Sequence, residues 1–213
     1  MESSGLQAAT AGSIQINSLA TEPSWQNLNP TKRIDYESGA VYHGDTLNDK
    51  PNGNGVLELE NACFRGSFVN GMPNGAASVV LEGAKFYEGP LINGIPHGIG
   101  SFFLPGLNYN GDISNGVCEG MGYCRWEDGT EYEGAFLSGQ PHGKGLLRYP
   151  DGLIFVGKFA SGKKHGRGNF LWDKTKSLDV EFENGKLVDE DTAIIFNGVR
   201  VPVSLSNGQI TVK

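Results

Sequence analysis

Six glycines, Gly44, Gly66, Gly89, Gly111, Gly134 and Gly157, recur at intervals of 22 or 23 residues. Each is followed nine residues later by a second, at Gly53, Gly75, Gly98, Gly120, Gly143 and Gly166. Two positions further stands a third, at Gly55, Gly100, Gly122, Gly145 and Gly168, with Ala77 as the one replacement. A fixed period of this length marks an array in which each unit packs on its neighbours, so such a chain needs no single globular core. The repeat also accounts for most of the 32 glycines, about twice the usual ~7%.

Within each unit the apolar positions alternate with period two around a centre of turn residues, the pattern of a β-hairpin. One face of the first strand carries Tyr42/Thr46, Phe64/Phe68, Tyr87/Leu91, Tyr109/Ile113, Tyr132/Phe136 and Phe155/Phe159, with the anchoring glycine between the two members. The second strand supplies Leu57/Leu59, Val79/Leu81, Phe102/Leu104, Cys124/Trp126, Leu147/Tyr149 and Phe170/Trp172. Between the strands come Asn70-Gly71, Asn93-Gly94, Asn115-Gly116, Ser138-Gly139 and Ser161-Gly162, which tolerate the positive φ of a tight reversal. Asn48-Asp49 in the first unit is the loosest copy. The region from about 40 to 174 is expected to hold at least twelve sequential antiparallel strands and essentially no helix.

The best copies run from Tyr87-Glu88-Gly89 through Pro96-His97-Gly98-Ile99-Gly100, and from Tyr132-Glu133-Gly134 through Pro141-His142-Gly143-Lys144-Gly145 to Asp151-Gly152. They closely resemble the MORN repeat. The resemblance covers residues 40 to about 174, with a degraded seventh start at Val180-Glu181-Phe182-Glu183-Asn184-Gly185. It implies an all-β fold, an elongated single-layer antiparallel sheet of stacked hairpins. It also implies a binding or tethering role at membranes, cytoskeleton or cilia, and no catalysis.

The flanks divide the chain into an N-terminal arm (1–37), the array (38–186) and a C-terminal β cap (187–213). The arm is rich in Ser, Ala, Thr and Asn; Ser13-Ile14-Gln15-Ile16-Asn17 alternates like a strand and Trp25 is a candidate anchor. In the cap, runs at 194–196, 199–203 and 209–212, separated by Asn197-Gly198 and Asn207-Gly208, read as a meander that blocks end-to-end strand pairing.

Chemistry is hard to find. Gly157 to Lys164 falls one residue short of a phosphate-binding loop, its glycines are repeat glycines, and no helix follows. His97, His142 and His165 share a repeat position, but adjacent repeats lie roughly 10 Å apart, too far to share a zinc at ~2 Å per ligand. They read instead as turn histidines packed on strand aromatics. No nucleophile or acid–base pair recurs at a constant place, so no catalytic residue, metal site or cofactor is expected. Cys63, Cys118 and Cys124 are an odd number without zinc-type spacing, which favours a reduced compartment. The N-terminus lacks an apolar signal core and no apolar run nears ~18 residues, so a cytoplasmic, cytoskeleton-associated protein is expected.

Surface remains. A single sheet cannot bury its own apolar face, so the row Tyr87, Tyr109, Trp126, Tyr132, Phe136, Tyr149 and Trp172 is expected to form a groove for a peptide segment of a protein partner. The alternative is that twist and neighbouring rings satisfy this face. The opposite face is mostly polar, but Val80, Ile92 and Phe103 break the rule and form a candidate second patch. The net charge of −7 is uneven: residues 144–176 carry eight basic and two acidic side chains, a net +6, leaving −13 elsewhere. Lys163, Lys164 and Arg167 are therefore candidate contacts for an acidic protein or, weakly, for anionic lipid. Nucleic acid is disfavoured because no continuous basic stripe with interleaved aromatics runs along the strands.

Overall fold

The computed structural model describes residues 32–171, 176–196, 199–206 and 209–212. All regular structure within them is β-strand. Strand β1 (Lys32–Asp35) is followed by the hairpins β2 (Val41–Leu47) with β3 (Lys50–Glu58), and β4 (Ala62–Val69) with β5 (Met72–Leu81). Next come β6 (Ala84–Ile92) with β7 (Ile95–Pro96) and β8 (Gly98–Leu104), and β9 (Leu107–Ser114) with β10 (Val117–Trp126). The array continues with β11 (Glu131–Leu137) and β12 (Gln140–Arg148), then β13 (Ile154–Ala160) and β14 (Lys163–Leu171). It closes with β15 (Lys176–Glu183), β16 (Lys186–Phe196), β17 (Val199–Ser206) and β18 (Gln209–Val212).

All pairings are antiparallel and between sequence neighbours, except that β7 and β8 do not pair with each other but follow one another along β6, and the result is one open sheet. From β2 to β14 the strands occupy twelve places across the sheet, β7 and β8 sharing one beside β6, which at ~4.8 Å each extend roughly 60 Å. The degraded seventh copy is a real hairpin, β15–β16, and β16 runs through the proposed start of the cap at 187 into its first run. At the other end β1 falls inside the expected arm, paired to β2, with Lys32 ion-paired to Asp49. Residues 13–17 and Trp25 lie outside the described residues, as do Asn197-Gly198 and Asn207-Gly208.

The glycine spacing has a structural cause that periodicity alone does not reveal. In β11–β12 the register passes from Gly134↔Gly145 to Phe136↔Pro141, so the second strand carries two extra residues in a bulge. Equivalent slips follow Gly44/Gly55, Gly66/Ala77 and Gly111/Gly122. The second glycine sits in that bulge; Gly143 has φ +67°, a conformation that costs an L-residue about 1–2 kcal/mol. The first and third glycines face each other across the hairpin as a bed for the aromatic ring. A Cβ on Gly145 would stand 2.4 Å from the Tyr132 ring, and one on Gly55 2.3 Å from the Tyr42 hydroxyl. Where Ala77 replaces the third glycine, the ring above it, Phe64, is only half-buried, whereas Tyr42, Tyr87, Tyr132 and Phe155 are 0% exposed.

The tight turns behave as their residues require. Asn70 and Gly71 take φ +51° and +90°, and Asn48-Asp49 makes the same reversal at +52° and +60° without a glycine. Each turn is tied to the unit before it: the amides of Gly71, Gly94, Gly116, Gly139, Gly162 and Gly185 donate to the carbonyls of Pro51, Pro73, Pro96, Cys118, Pro141 and Lys164. In four of these turns the residue after that carbonyl adds a side-chain acceptor. Asn52 accepts from the Asn70 amide at 3.3 Å, Glu119 from Ser138 at 2.9 Å, and the Nδ1 atoms of His97 and His165 from Asn115 and Asn184 at 3.5 and 3.4 Å. This is a different task from the expected packing on aromatics.

Candidate binding surfaces

The two faces of the sheet differ because the ring and its glycine bed lie on one of them. On the aromatic face Tyr42, Tyr87, Tyr109 and Tyr132 fold over their own glycines and donate their hydroxyls to the carbonyls of Asp45, Pro90, Asp112 and Ala135 at 2.7, 2.8, 2.7 and 2.8 Å. In all four the acceptor is the residue after the anchoring glycine, at the bulge. Burial pushes the phenols of Tyr42, Tyr87 and Tyr132 up to about 12 and that of Tyr109 higher still. Edge-to-face contacts then run from unit to unit: Tyr109 to Phe136 at 5.0 Å, Tyr132 to Phe136 at 5.2 Å, Tyr132 to Phe159 at 5.0 Å and Phe155 to Phe182 at 5.5 Å. Such pairs contribute about 0.5–1.5 kcal/mol each beyond their buried area.

This packing divides the expected groove residues. Tyr87, Tyr109, Tyr132 and Phe136 are buried, between 0 and 6% exposed, and form the floor. Trp126 and Tyr149 are half-buried and accessible above it, while Trp172 lies outside the described residues. Trp126, Leu147, Tyr132, Phe159 and Lys164 line a cleft of about 1090 Å³ whose rims are the turns near Glu127–Thr130 on one side and Ser161–Gly162 on the other. Lys164 lies across its floor. Its ammonium stands 5.3, 5.5, 5.4 and 5.2 Å from the ring centroids of Tyr149, Phe155, Phe170 and Phe182, within cation–π range of all four.

The three basic candidates therefore do not share one surface. Lys163 is an exposed strand-end residue, Lys164 covers rings on the aromatic face, and Arg167 lies on the opposite face with Glu181 at 3.6 Å. The candidate second patch is also split. Val80 and Phe103 stand near one end of the strands, Phe103 beneath the Lys85 ammonium at 4.7 Å. Exposed Ile92 pairs with Ile95 at the other end, about six residues or ~20 Å away along the strands. Sequence reasoning missed what Ile92 belongs to. Leu47, Val69, Met72, Ile95, Val117 and Leu137 flank the tight turns with it as an apolar stripe on one edge, each 41–57% exposed. The signal was an apolar residue on one or both sides of the turn pair, on both at Val69/Met72 and Ile92/Ile95.

Among the described residues no three His, Cys, Asp or Glu side chains gather as a metal site. All three cysteines are free. Burial pushes the Cys118 and Cys124 thiols up to about 11 and about 12, the reverse of what a reactive cysteine needs. No helix among these residues is long and apolar enough to cross a membrane.

An open array of stacked hairpins with accessible rings over a self-buried floor is the architecture of a binding repeat. The MORN repeat family matches the chain at residues 42–62, 64–76, 87–105, 109–131, 132–154 and 155–174, together more than half of its length. The chain belongs to the MORN repeat family, whose repeats commonly serve protein or membrane-lipid binding. No curated protein matches the sequence.

Proposed function

We propose that this protein is a non-catalytic scaffold or adaptor that holds a segment of a protein partner in the cleft of its aromatic face, within a ciliary, axonemal or other cytoskeletal assembly in the cytoplasm. The observation that carries the reading is the cleft around Trp126: half-buried apolar side chains above a floor already packed and hydrogen-bonded, so that binding orders little of the receptor. Trp126 and Leu147 supply apolar contact. Lys164 can exchange its ring contacts for a carboxylate of the ligand. Proximity labelling by the whole chain in ciliated cells, compared with Trp126→Ala and with an exposed-face control, Arg65→Gln, tests this. Labelling of cytoskeletal proteins that is lost only with Trp126→Ala is expected; an unchanged set would refute the cleft, and a set without cytoskeletal proteins would refute the assembly.

The second reading, a peripheral tether that binds anionic phospholipid through Lys163, Lys164 and Arg167, ranks below it because those cations are divided between two faces and −13 of charge lies outside the basic segment. Co-sedimentation with anionic vesicles at physiological salt, abolished by reversing all three charges, would invert the ranking.

A further inference from the structure

The face opposite the rings carries a line of side chains, one from each strand, immediately beyond the glycine bed. From β8 to β15 it reads Ile99, Asp112, Met121, Ala135, Lys144, Lys158, Arg167 and Glu181, with Ile99 opposite Asp112, Met121 opposite Ala135, Lys144 opposite Lys158 and Arg167 opposite Glu181. Its first part is apolar and open: Ile99 is 71% and Met121 60% exposed. The Asp112 carboxylate between them is turned onto the Met121 amide at 2.8 Å. Its second part is basic, and among the described residues neither Lys144 nor Lys158 has an ion-pair partner.

Alongside this line the bare backbone of Gly134, Gly145, Gly157 and Gly168 forms the floor of a trough of about 920 Å³, and Glu133, Leu146, Val156, Asn169 and Asp179 form its far wall. We infer that this trough is a second docking site, for an extended protein segment that is apolar at one end and acidic at the other. Three features select that occupant. The line from Ile99 to Arg167 crosses six strand spacings, roughly 29 Å, which an extended segment of about nine residues spans. Its change from apolar to basic demands the complementary order in the ligand, with carboxylates over Lys144 and Lys158 and apolar side chains against Ile99 and Met121. The glycine floor is recessed between two walls, so an extended main chain can enter where a flat anionic bilayer cannot.

A displayed library of random dodecapeptides panned on the whole chain tests the assignment, with Lys144→Glu/Lys158→Glu panned in parallel. Both side chains are exposed, and far-ultraviolet circular dichroism checks that the variant keeps its strands. The control is Lys50→Glu/Lys186→Glu, exposed turn lysines whose reversal changes net charge equally. Expected are peptides joining an apolar cluster to two or more Asp or Glu. Their affinity should fall at least about tenfold in Lys144→Glu/Lys158→Glu, stay within about twofold in the control, and weaken with salt. Ile99→Ser/Met121→Ser should remove selection for the apolar end while keeping that for the acidic end. Selection without acidic enrichment, equal affinity for both charge variants, or binding to phosphatidylserine vesicles that depends on Lys144 and Lys158 while no acidic peptide is selected would each overturn the inference.

Discussion

Removing one hydroxyl from Tyr132 isolates the interaction that closes a unit. The ring is 0% exposed, lies on Gly134 and Gly145, and donates to the Ala135 carbonyl at 2.8 Å. Tyr132→Phe keeps the ring, its beds and its edge-to-face contacts with Phe136 and Phe159, so the loss is confined to one part-buried hydrogen bond. Such a bond contributes about 0.5–1.5 kcal/mol net, and a part-buried acceptor left without its donor moves the cost to about 1–2 kcal/mol. At roughly 2–4 °C per kcal/mol for a chain of this size, the melting temperature should fall by roughly 2–8 °C. Phe155 is the natural comparison: it fills the same bed without a hydroxyl and is equally buried, so the ring position does not depend on the bond. The assay is urea unfolding followed by circular dichroism, with hydrogen–deuterium exchange to locate the loss, since repeat arrays depart from two-state behaviour. Faster exchange is expected in β10 to β13 and not in β2 to β5. Tyr149→Phe, at a half-buried ring, should shift stability by less than about 0.5 kcal/mol. Equal shifts for Tyr132→Phe and Tyr149→Phe, or loss spread evenly over the array, would refute the reasoning.

The glycine bed makes a prediction of its own: Gly145→Ala puts a methyl 2.4 Å from the Tyr132 ring and should cost about 1–3 kcal/mol by overpacking, but much less in a Tyr132→Ala background, a coupling that a double-mutant cycle in urea reads directly. Alkaline pH should unfold the protein with a defined window. The phenols of Tyr42, Tyr87 and Tyr132 are raised to about 12 from an ordinary value near ~10, so their contribution is complete below about pH 10 and is lost as pH rises through about 12. Absorbance at ~295 nm should therefore show these phenols ionising together with loss of strand signal, and independent ionisation in folded protein would count against their burial. At pH ~8, brief iodoacetamide treatment followed by peptide mass spectrometry should label half-buried Cys63 and Cys118 before Cys124, which is 2% exposed, with all three equal in urea.

Much of the fold was legible because period two and glycine spacing are local signals. The hairpins, tight turns and strand order follow from residues within one unit, and even the seventh copy, which lacks its anchoring glycine, keeps Val180 and Phe182 buried and Asn184-Gly185 in the turn. β1 was hidden because Lys32-Arg33-Ile34-Asp35 has a single apolar residue and no alternation; only its ladder to β2 makes it a strand. The bulge was hidden for a related reason. Its two extra residues alter register between strands, which periodicity along one strand does not report, so the spacing of Gly143 from Gly134 carries no sign that the strand shifts there. The surfaces were legible in kind and not in extent. Alternation correctly puts Tyr132 and Trp126 on one face, but whether a ring is floor or contact depends on the space beneath it. Tyr132 has two glycines there and sinks; Trp126 does not sink and remains accessible.

The same absent side chains shape both faces. Without Cβ atoms at Gly134, Gly145, Gly157 and Gly168, the rings of Tyr132 and Phe155 descend onto the backbone and cover one side of it. On the other side that backbone is left bare, as the floor of a trough. Self-burial of the aromatic face thus does not consume the sheet's binding capacity. It moves part of it to the rings that cannot sink, chiefly Trp126, and part to the reverse face, where the residue beyond each glycine is free to vary from Ile99 and Met121 to Lys144 and Lys158 without disturbing the core. A unit can therefore keep its Tyr and Gly positions for stability while its outward position changes chemistry. The apolar-to-basic order along the array follows from that separation, since each strand contributes one outward side chain and its packing places no demand on which.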